Sequence, residues 1–166
     1  MIRNATIQDA RSIATIHIDA WKLAYRGIVS EAYLKKLDLG VKTQSWETIL
    51  KEQKSQTFVM ESVGEITSWI SYGKSRDHNQ DRIGEIWALY VCPKFWRHGH
   101  GAALIKHVEK IAKKDRKSSL VLWVLDQNKQ GRSFYEKVGY IPDGAEKSIE
   151  IEQVKLEELR YEKYLE

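Results

Sequence analysis

The sequence has one cysteine, Cys92, so no disulfide can form within the chain. That favours a reducing compartment. It has two prolines and no Pro-, Gly- or Ser-rich tract, so composition marks no linker and no domain boundary. Repeats and low-complexity segments are absent. No window approaches the roughly 20 apolar residues of a membrane span. The opening "MIRNATIQDARSI" lacks the apolar core of a secretory leader. Charge of one sign is not concentrated either. Lys and Arg number 27 against 23 Asp and Glu, a net of +4 spread along the chain. Nucleic-acid binders usually gather positive charge on one face or tail, and an anionic small ligand fits the balance as well. These absences leave a chain without a membrane span, expected to be cytoplasmic. At 166 residues and 42% apolar content it suits a single domain, 1–166, with a real core.

Periodicity supplies the elements. "MIRNAT" reads as a short strand. Asp9 is placed to cap a helix carrying Ile13, Ile16, Ala20 and Leu23/Ala24, ended by Gly27. Ser30 can cap "EAYLKKL". "VKTQSWETILKEQ" is a third helix with Val41, Trp46, Ile49 and Leu50 inward. "TFVMESV" and "ITSWISYG" flank Gly64-Glu65 as a hairpin, and 75–82 is a polar loop. "GEIWALYVC" is a strand stopped by Pro93. The run 101–114 is an amphipathic helix. "LVLWVL", 120–125, is a doubly buried strand. "QGRSFYEKV" is a short helix stopped by Gly139. "SIEIEQVKLEELRYEKYL" alternates as a strand. A meander followed by strand–helix–strand–helix–strand predicts α/β or α+β with one central sheet.

Between strand 84–92 and helix 101–114 lies "FWRHGHGAALI". His98 and His100 lack the third and fourth ligands that zinc requires, so no metal is expected. Trp96, Arg97, His98 and His100 could stack on bases, but one short cluster among many acidic residues does not make a nucleic-acid site. "GHGAAL" lacks the third glycine of a dinucleotide fingerprint. A strand running through glycines into a helix does present free N–H groups and a favourable dipole to an anion. Spacing alone leaves open a glycine-rich helix entrance with no ligand.

"GEIWALYVCPKFWRHGHGAALI" resembles the acetyl-CoA-binding core of the GNAT superfamily of N-acetyltransferases. That core is a strand ending hydrophobic–Val–x–Pro, then Gln/Arg-x-x-Gly-x-Gly/Ala, then a helix. Trp96 stands where the pattern has Gln or Arg. "LWVLDQNKQGRSFYEKVGY" is similar to the later block of the same superfamily, matching at Asn128, Phe134, Tyr135, Gly139 and Tyr140. The opening strand and helix and the closing "LEELRYEKYL" also agree, so the likeness spans the chain. It implies a central mixed, mostly antiparallel sheet of about six or seven strands flanked by helices.

The resemblance also implies acetyl-CoA as co-substrate, no metal, and direct acetyl transfer to a primary amine of a small molecule or peptide through a tetrahedral intermediate. The rival reading is a non-catalytic acyl-CoA-binding module. An alkyl ammonium has a pKa of about 10.4, so a base is required. Glu85 matches a glutamate used as base in some members. Strand alternation would put it with Trp87, Leu89 and Val91, where apolar neighbours raise a carboxyl pKa. The Leu89 N–H would meet the thioester carbonyl. Tyr90 and Val91 would pair with the pantetheine amides. Residues Arg97, His98, Gly99, His100, Gly101 and Ala102 would hold the pyrophosphate by their backbone. Asn128 would reach the pantetheine arm, and Tyr135 would protonate the thiolate. Trp21, Tyr25 and Arg26 would line the acceptor wall, beside Tyr33. Trp46 reads as helix packing, Cys92 as a packed thiol, and His17 and His107 as surface or half-buried. His78 sits in the polar loop within reach of substrate. Only Asp19 and Glu31 are acidic near the first helices, which argues against a polyamine acceptor. A homodimer through the C-terminal strands follows by analogy only.

Overall fold

The computed structural model describes residues 1–77 and 81–166. His78 lies outside the described residues. A single seven-stranded sheet runs β1 (Ile2–Asn4), β2 (Gln56–Ser62), β3 (Glu65–Lys74), β4 (Ile83–Val91), β5 (Ser119–Leu125), β7 (Val154–Tyr164), β6 (Ile141–Ile151) in spatial order. β4 and β5 are parallel and the other neighbours are antiparallel. Helices α1 (Ala10–Ala24), α2 (Glu31–Lys35) and α3 (Leu39–Glu52) come before β2. α4 (His100–Lys114) joins β4 to β5, and α5 (Lys129–Lys137) follows β5.

Each sheet face has its own core. Leu104, Ile105, Val108 and Ala112 of α4 cover Ile70, Tyr72, Ile86, Leu120 and Leu122 on one face. Ile13, Ala14 and Ile16 of α1 and Trp46 of α3 cover Val59 and Trp69 on the other. A third cluster unites Val29 and Leu34 with Leu125 of β5 and Leu156 of β7. Full burial of each aliphatic side chain contributes about 1.5–3 kcal/mol, so these stripes fix which helix faces which side.

Several local expectations are revised. Asp9 does not cap α1 with its side chain. It accepts from the Thr6 N–H at 2.7 Å and pairs with Arg3, which anchors the turn before the helix. In α3, Trp46 is buried, whereas Val41 and Ile49 are exposed, because Leu39 and Leu50 pack beside Trp46 instead. The β2–β3 turn is Val63-Gly64, both at positive φ, one residue earlier than Gly64-Glu65. The final alternating stretch is two strands. Glu152 and Gln153 make the turn at φ 47° and 65°, a two-residue reversal that normally announces itself with Asn or Gly. Ser30 caps α2 as read, its hydroxyl accepting from the Tyr33 N–H at 3.0 Å.

Candidate functional site

The site begins with one extra residue in β4. Ser71 pairs with Ala88 and Tyr72 with Ile86, so Trp87 has no partner in β3 and forms a bulge. A bulge shifts the alternation by one. Ile86 and Leu89 therefore share the α4 face, opposite Ile70 and Tyr72. Glu85 falls on the other face with Ala88, since Gly73 and Ser71 are their partners. The expectation that Glu85 lies on the face of Leu89 and Val91 is corrected by this bulge.

The bulge also ends the pairing of β4 with β5. The two strands are in register only over 83–86 and 119–122. Beyond that, β4 stays on β3, while β5 runs beside β7 as far as Leu125 opposite Glu158. The strands part and open a cleft between them. The Cys92 N–H bonds to the Thr67 carbonyl at 2.8 Å, so Cys92 directs its backbone groups to β3. Alternate residues face alternate edges. Leu89 and Val91 hence present their amide edges to the cleft. Tyr90 turns its own to β3, so the expected backbone pairing through Tyr90 is corrected; its side chain is what enters the site.

Past β4, a single helical turn Pro93–Phe95 leads to the loop before α4. The Trp96 indole N–H donates to the Val91 carbonyl at 2.7 Å and ties the loop to the strand end. Arg97 is exposed at φ 65°. Gly99 sits at φ 82°, where a side chain would be strained, with nothing within 4 Å of an added Cβ. The first intrahelical bond is Ala103 N–H to Gly99 carbonyl, so the N–H groups of His100, Gly101 and Ala102 precede it. His98 instead gives its N–H to Phe95 at 3.3 Å, which removes one amide from the expected cradle. The His100 ring turns away toward Thr67 Oγ1 at 2.8 Å and stacks on Phe95. Gly101 has a packing reason: a Cβ there would lie 3.0 Å from Phe134.

α5 brings Phe134 and Tyr135 to the cleft from the α4 side, packed on that core. Asn128 caps α5, its Oδ1 accepting from the Gly131 N–H at 3.0 Å. From the α1 side comes an aromatic wall. His17 stacks on Tyr90 at 4.8 Å, Trp21 donates from Nε1 to the Tyr90 hydroxyl at 2.7 Å, and Tyr25 lies 4.4 Å from Trp21. Tyr33 is the next ring, 6.0 Å from Trp21. Burial pushes the phenols of Tyr25, Tyr90 and Tyr135 above their ordinary range, and the proximity of Tyr25 adds to the shift of Tyr135. For Tyr25, the Tyr90 hydroxyl and the Asn128 amide pull partly back. Three phenols from α1, β4 and α5 thus converge where the strands part. Burial lowers His17 to about 3, so it is neutral, and its Nδ1 accepts from Trp46 Nε1 at 3.4 Å. His107 stacks edge-on to Phe58, away from the cleft. Arg26 is exposed in the turn after α1 and makes none of the ring contacts of this wall.

Glu85 is fully buried. One oxygen accepts the Arg76 backbone N–H at 2.7 Å, and the other accepts the Arg76 guanidinium, from Nε at 2.9 Å and from Nη2. Its neighbour is a guanidinium rather than an apolar surround. In this arrangement Glu85 pins the start of the β3–β4 loop, and Arg76 also lies over the Trp87 ring. A carboxylate not singled out from the sequence, Glu158 of β7, lies opposite Leu125, and its charge adds to the upward shift of the Tyr25 phenol. Alternation alone could not find it, because nothing local says that β7 pairs with β5. Among the described residues, no group of three or more His, Cys, Asp and Glu is gathered to hold a metal. Nor is any described helix long and apolar enough to cross a membrane.

The pattern of the Acetyltransferase (GNAT) family matches residues 18–140. An uncharacterized N-acetyltransferase of Bacillus subtilis is 28% identical over 95% of this chain and 89% of its own length. A probable N-acetyltransferase of Mycobacterium tuberculosis is 30% identical over 86% of this chain and 80% of its own. Among solved structures, the PaiA N-acetyltransferase of Thermoplasma acidophilum in complex with coenzyme A superposes with a TM-score of 0.76 at 22% identity, over 99% of this chain and 98% of that one. At that identity the likeness speaks for the fold.

Proposed function

The chain belongs to the acetyltransferase (GNAT) family, and on that premise we propose how its cleft moves an acetyl group from acetyl-CoA to a primary amine of a small molecule or peptide. The observation that carries this reading is the parting of β4 and β5 after Trp87, which frees the Leu89 and Val91 amide edges next to the Gly99 turn. That geometry fits the co-substrate: a strand edge to pair with an amide-bearing arm, then N–H groups at a helix start for a pyrophosphate.

Acetyl-CoA supplies the activated thioester; the chain supplies the rest. The Leu89 N–H polarises the thioester carbonyl, and a donor so placed lowers the barrier by about 2.7–4 kcal/mol. The Val91 amide pairs with the pantetheine arm, and Asn128 borders it from α5. The amides of Gly99, His100, Gly101 and Ala102, with the Arg97 charge, hold the pyrophosphate. Trp21 and Tyr25 border the acceptor on the opposite side. Tyr135 gives its proton to the departing sulfur as the amine nitrogen bonds to the acyl carbon, with no acyl-enzyme. For Glu85 to take the ammonium's proton, Arg76 has to release it; otherwise that proton passes to solvent water and Glu85 holds the loop.

The test is amine-dependent thiol release from acetyl-CoA across a panel of primary amines. Saturable CoA binding with no turnover for any amine would establish the non-catalytic module instead. A further expectation concerns the loop. Trp96→Phe keeps a ring but loses the N–H bonded to the Val91 carbonyl, worth about 1 kcal/mol. CoA affinity should weaken about fivefold by calorimetry, with kcat changed far less than KM for acetyl-CoA. An unaltered affinity would show that the bond does not set the loop.

A further inference from the structure

α5 carries the proton donor, yet it is a short helix and none of its nine residues is fully buried. Phe134, Tyr135 and Val138 rest on the α4-side core with partly buried side chains. Asn128 caps the first turn, and the Tyr140 N–H closes the last by donating to the Tyr135 carbonyl at 3.0 Å. These bonds fix the two ends of α5. Its roll about its own axis, and so the direction of Tyr135, is left to side-chain contacts. The Tyr135 hydroxyl makes no hydrogen bond among the described residues. It takes its place from the helix and from a ring packed edge-on to Phe134 and Tyr140.

One residue outside the helix grips that roll. Tyr161 of β7 lies opposite Leu122 of β5, belongs to the α4-side core and has no exposure. Its hydroxyl donates to Glu136 Oε1 at 2.8 Å and accepts from Arg132 Nε at 3.1 Å. Arg132 and Glu136 are four residues apart, so they share one face of α5 and bracket the turn that holds Tyr135. Arg132 Nη1 also donates to the Asp126 carbonyl at 3.0 Å and to Asp126 Oδ1 at 2.7 Å, which joins the end of β5 to the same bracket. A phenol has a single proton to give, and Tyr161 gives it to α5 while accepting from α5 one turn earlier. Its ring is locked in a close-packed core and cannot follow the helix if the helix turns. We propose that Tyr161 is a positioning residue for acetyl transfer: its hydroxyl, held between Arg132 and Glu136, sets the roll of α5 and with it the place of the Tyr135 proton donor. The lever is sensitive. Side-chain tips lie about 5–6 Å from a helix axis, so a roll of about 10° carries the Tyr135 hydroxyl by about 1 Å. A misplacement of that size can cost about a hundredfold in rate.

This role rests on the acetyl-transfer reading and is tested beside it. Thiol release from acetyl-CoA is measured with a primary amine that wild type turns over, and CoA affinity by calorimetry. Tyr161→Phe keeps the ring and loses the hydroxyl. Its kcat should fall by on the order of tenfold or more, while CoA affinity and KM for the amine stay close to those of wild type. Glu136 is exposed, and alanine favours a helix, so Glu136→Ala should reproduce the loss without unfolding the chain. Glu136→Gln keeps an acceptor oxygen and should restore most of kcat. A double-mutant cycle separates positioning from structure. In a Tyr135→Phe background, Tyr161→Phe should lower kcat no further, because the donor it places is gone. A merely structural role would cost the same factor in both backgrounds. Wild-type kcat in Tyr161→Phe or in Glu136→Ala, or a loss that persists in full in the Tyr135→Phe background, would overturn the assignment and spare the transfer reading. Failure of wild type to acetylate any amine would overturn both.

Discussion

Tyr135→Phe is expected to lower kcat for acetyl transfer by on the order of 10²-fold or more, the usual weight of a positioned general acid. The ring remains, so its packing against Phe134 at 5.3 Å and the α4-side core persists, and CoA affinity should stay close to that of wild type. The pH dependence has a definite sign. Burial raises the Tyr135 phenol above its ordinary range, and an acid with a raised pKa keeps its proton as pH climbs. Tyr135 therefore stays an O–H donor across neutral and mildly alkaline pH and adds no alkaline limb to the rate profile there. Steady-state kinetics with a thiol reagent, together with calorimetric CoA binding, checks both statements. A Tyr135→Phe enzyme with wild-type kcat would remove Tyr135 from the chemistry and leave it a packing residue.

The second large effect is on stability. Trp69 has no exposure and joins both halves of the α1-side core: it lies 4.5 Å from Trp46, 5.6 Å from His17 and 5.1 Å from Tyr90. Trp69→Ala should cost about 3–5 kcal/mol, because a cavity of that size does not close. For a chain of this length that corresponds to roughly 10 °C in Tm. Its indole N–H has no hydrogen-bond partner among the described residues. Trp69→Phe therefore gives up volume but no hydrogen bond and should cost under about 1.5 kcal/mol. Urea unfolding of the two variants separates these contributions. Equal losses for Phe and Ala would mean that the N–H, not the volume, matters. Because Tyr90 leans on Trp69, the Ala variant should also lose activity at temperatures where it is still folded.

Much of the site was legible because it is local. The Gly99 turn, the α4 entrance, the Asn128 cap and the Phe134-Tyr135 pair are each set by a few consecutive residues, through positive φ, missing side chains and one side-chain acceptor. The helices were legible for the same reason, since a 3.6-residue period and a capping serine act within one segment. The misreadings within the sheet have the opposite property. Alternation assumed an unbroken β4, and the extra residue at Trp87 is visible only against β3. The β6–β7 reversal at Glu152-Gln153 carries no glycine or asparagine, so the pairing of the flanking strands forces the turn.

The sequence by itself determined which short segments form, where a helix start follows a strand through a glycine turn, and which tyrosine the later helix carries. Only the tertiary structure decided which carboxylate faces what. Arg76 reaches Glu85 across the β3–β4 hairpin, and β7 brings Glu158 opposite Leu125 of β5. Faces and partners of this kind depend on cross-strand register, and a one-residue slip or bulge reverses them. No local propensity records that register; it is fixed when the two sides of the sheet are packed.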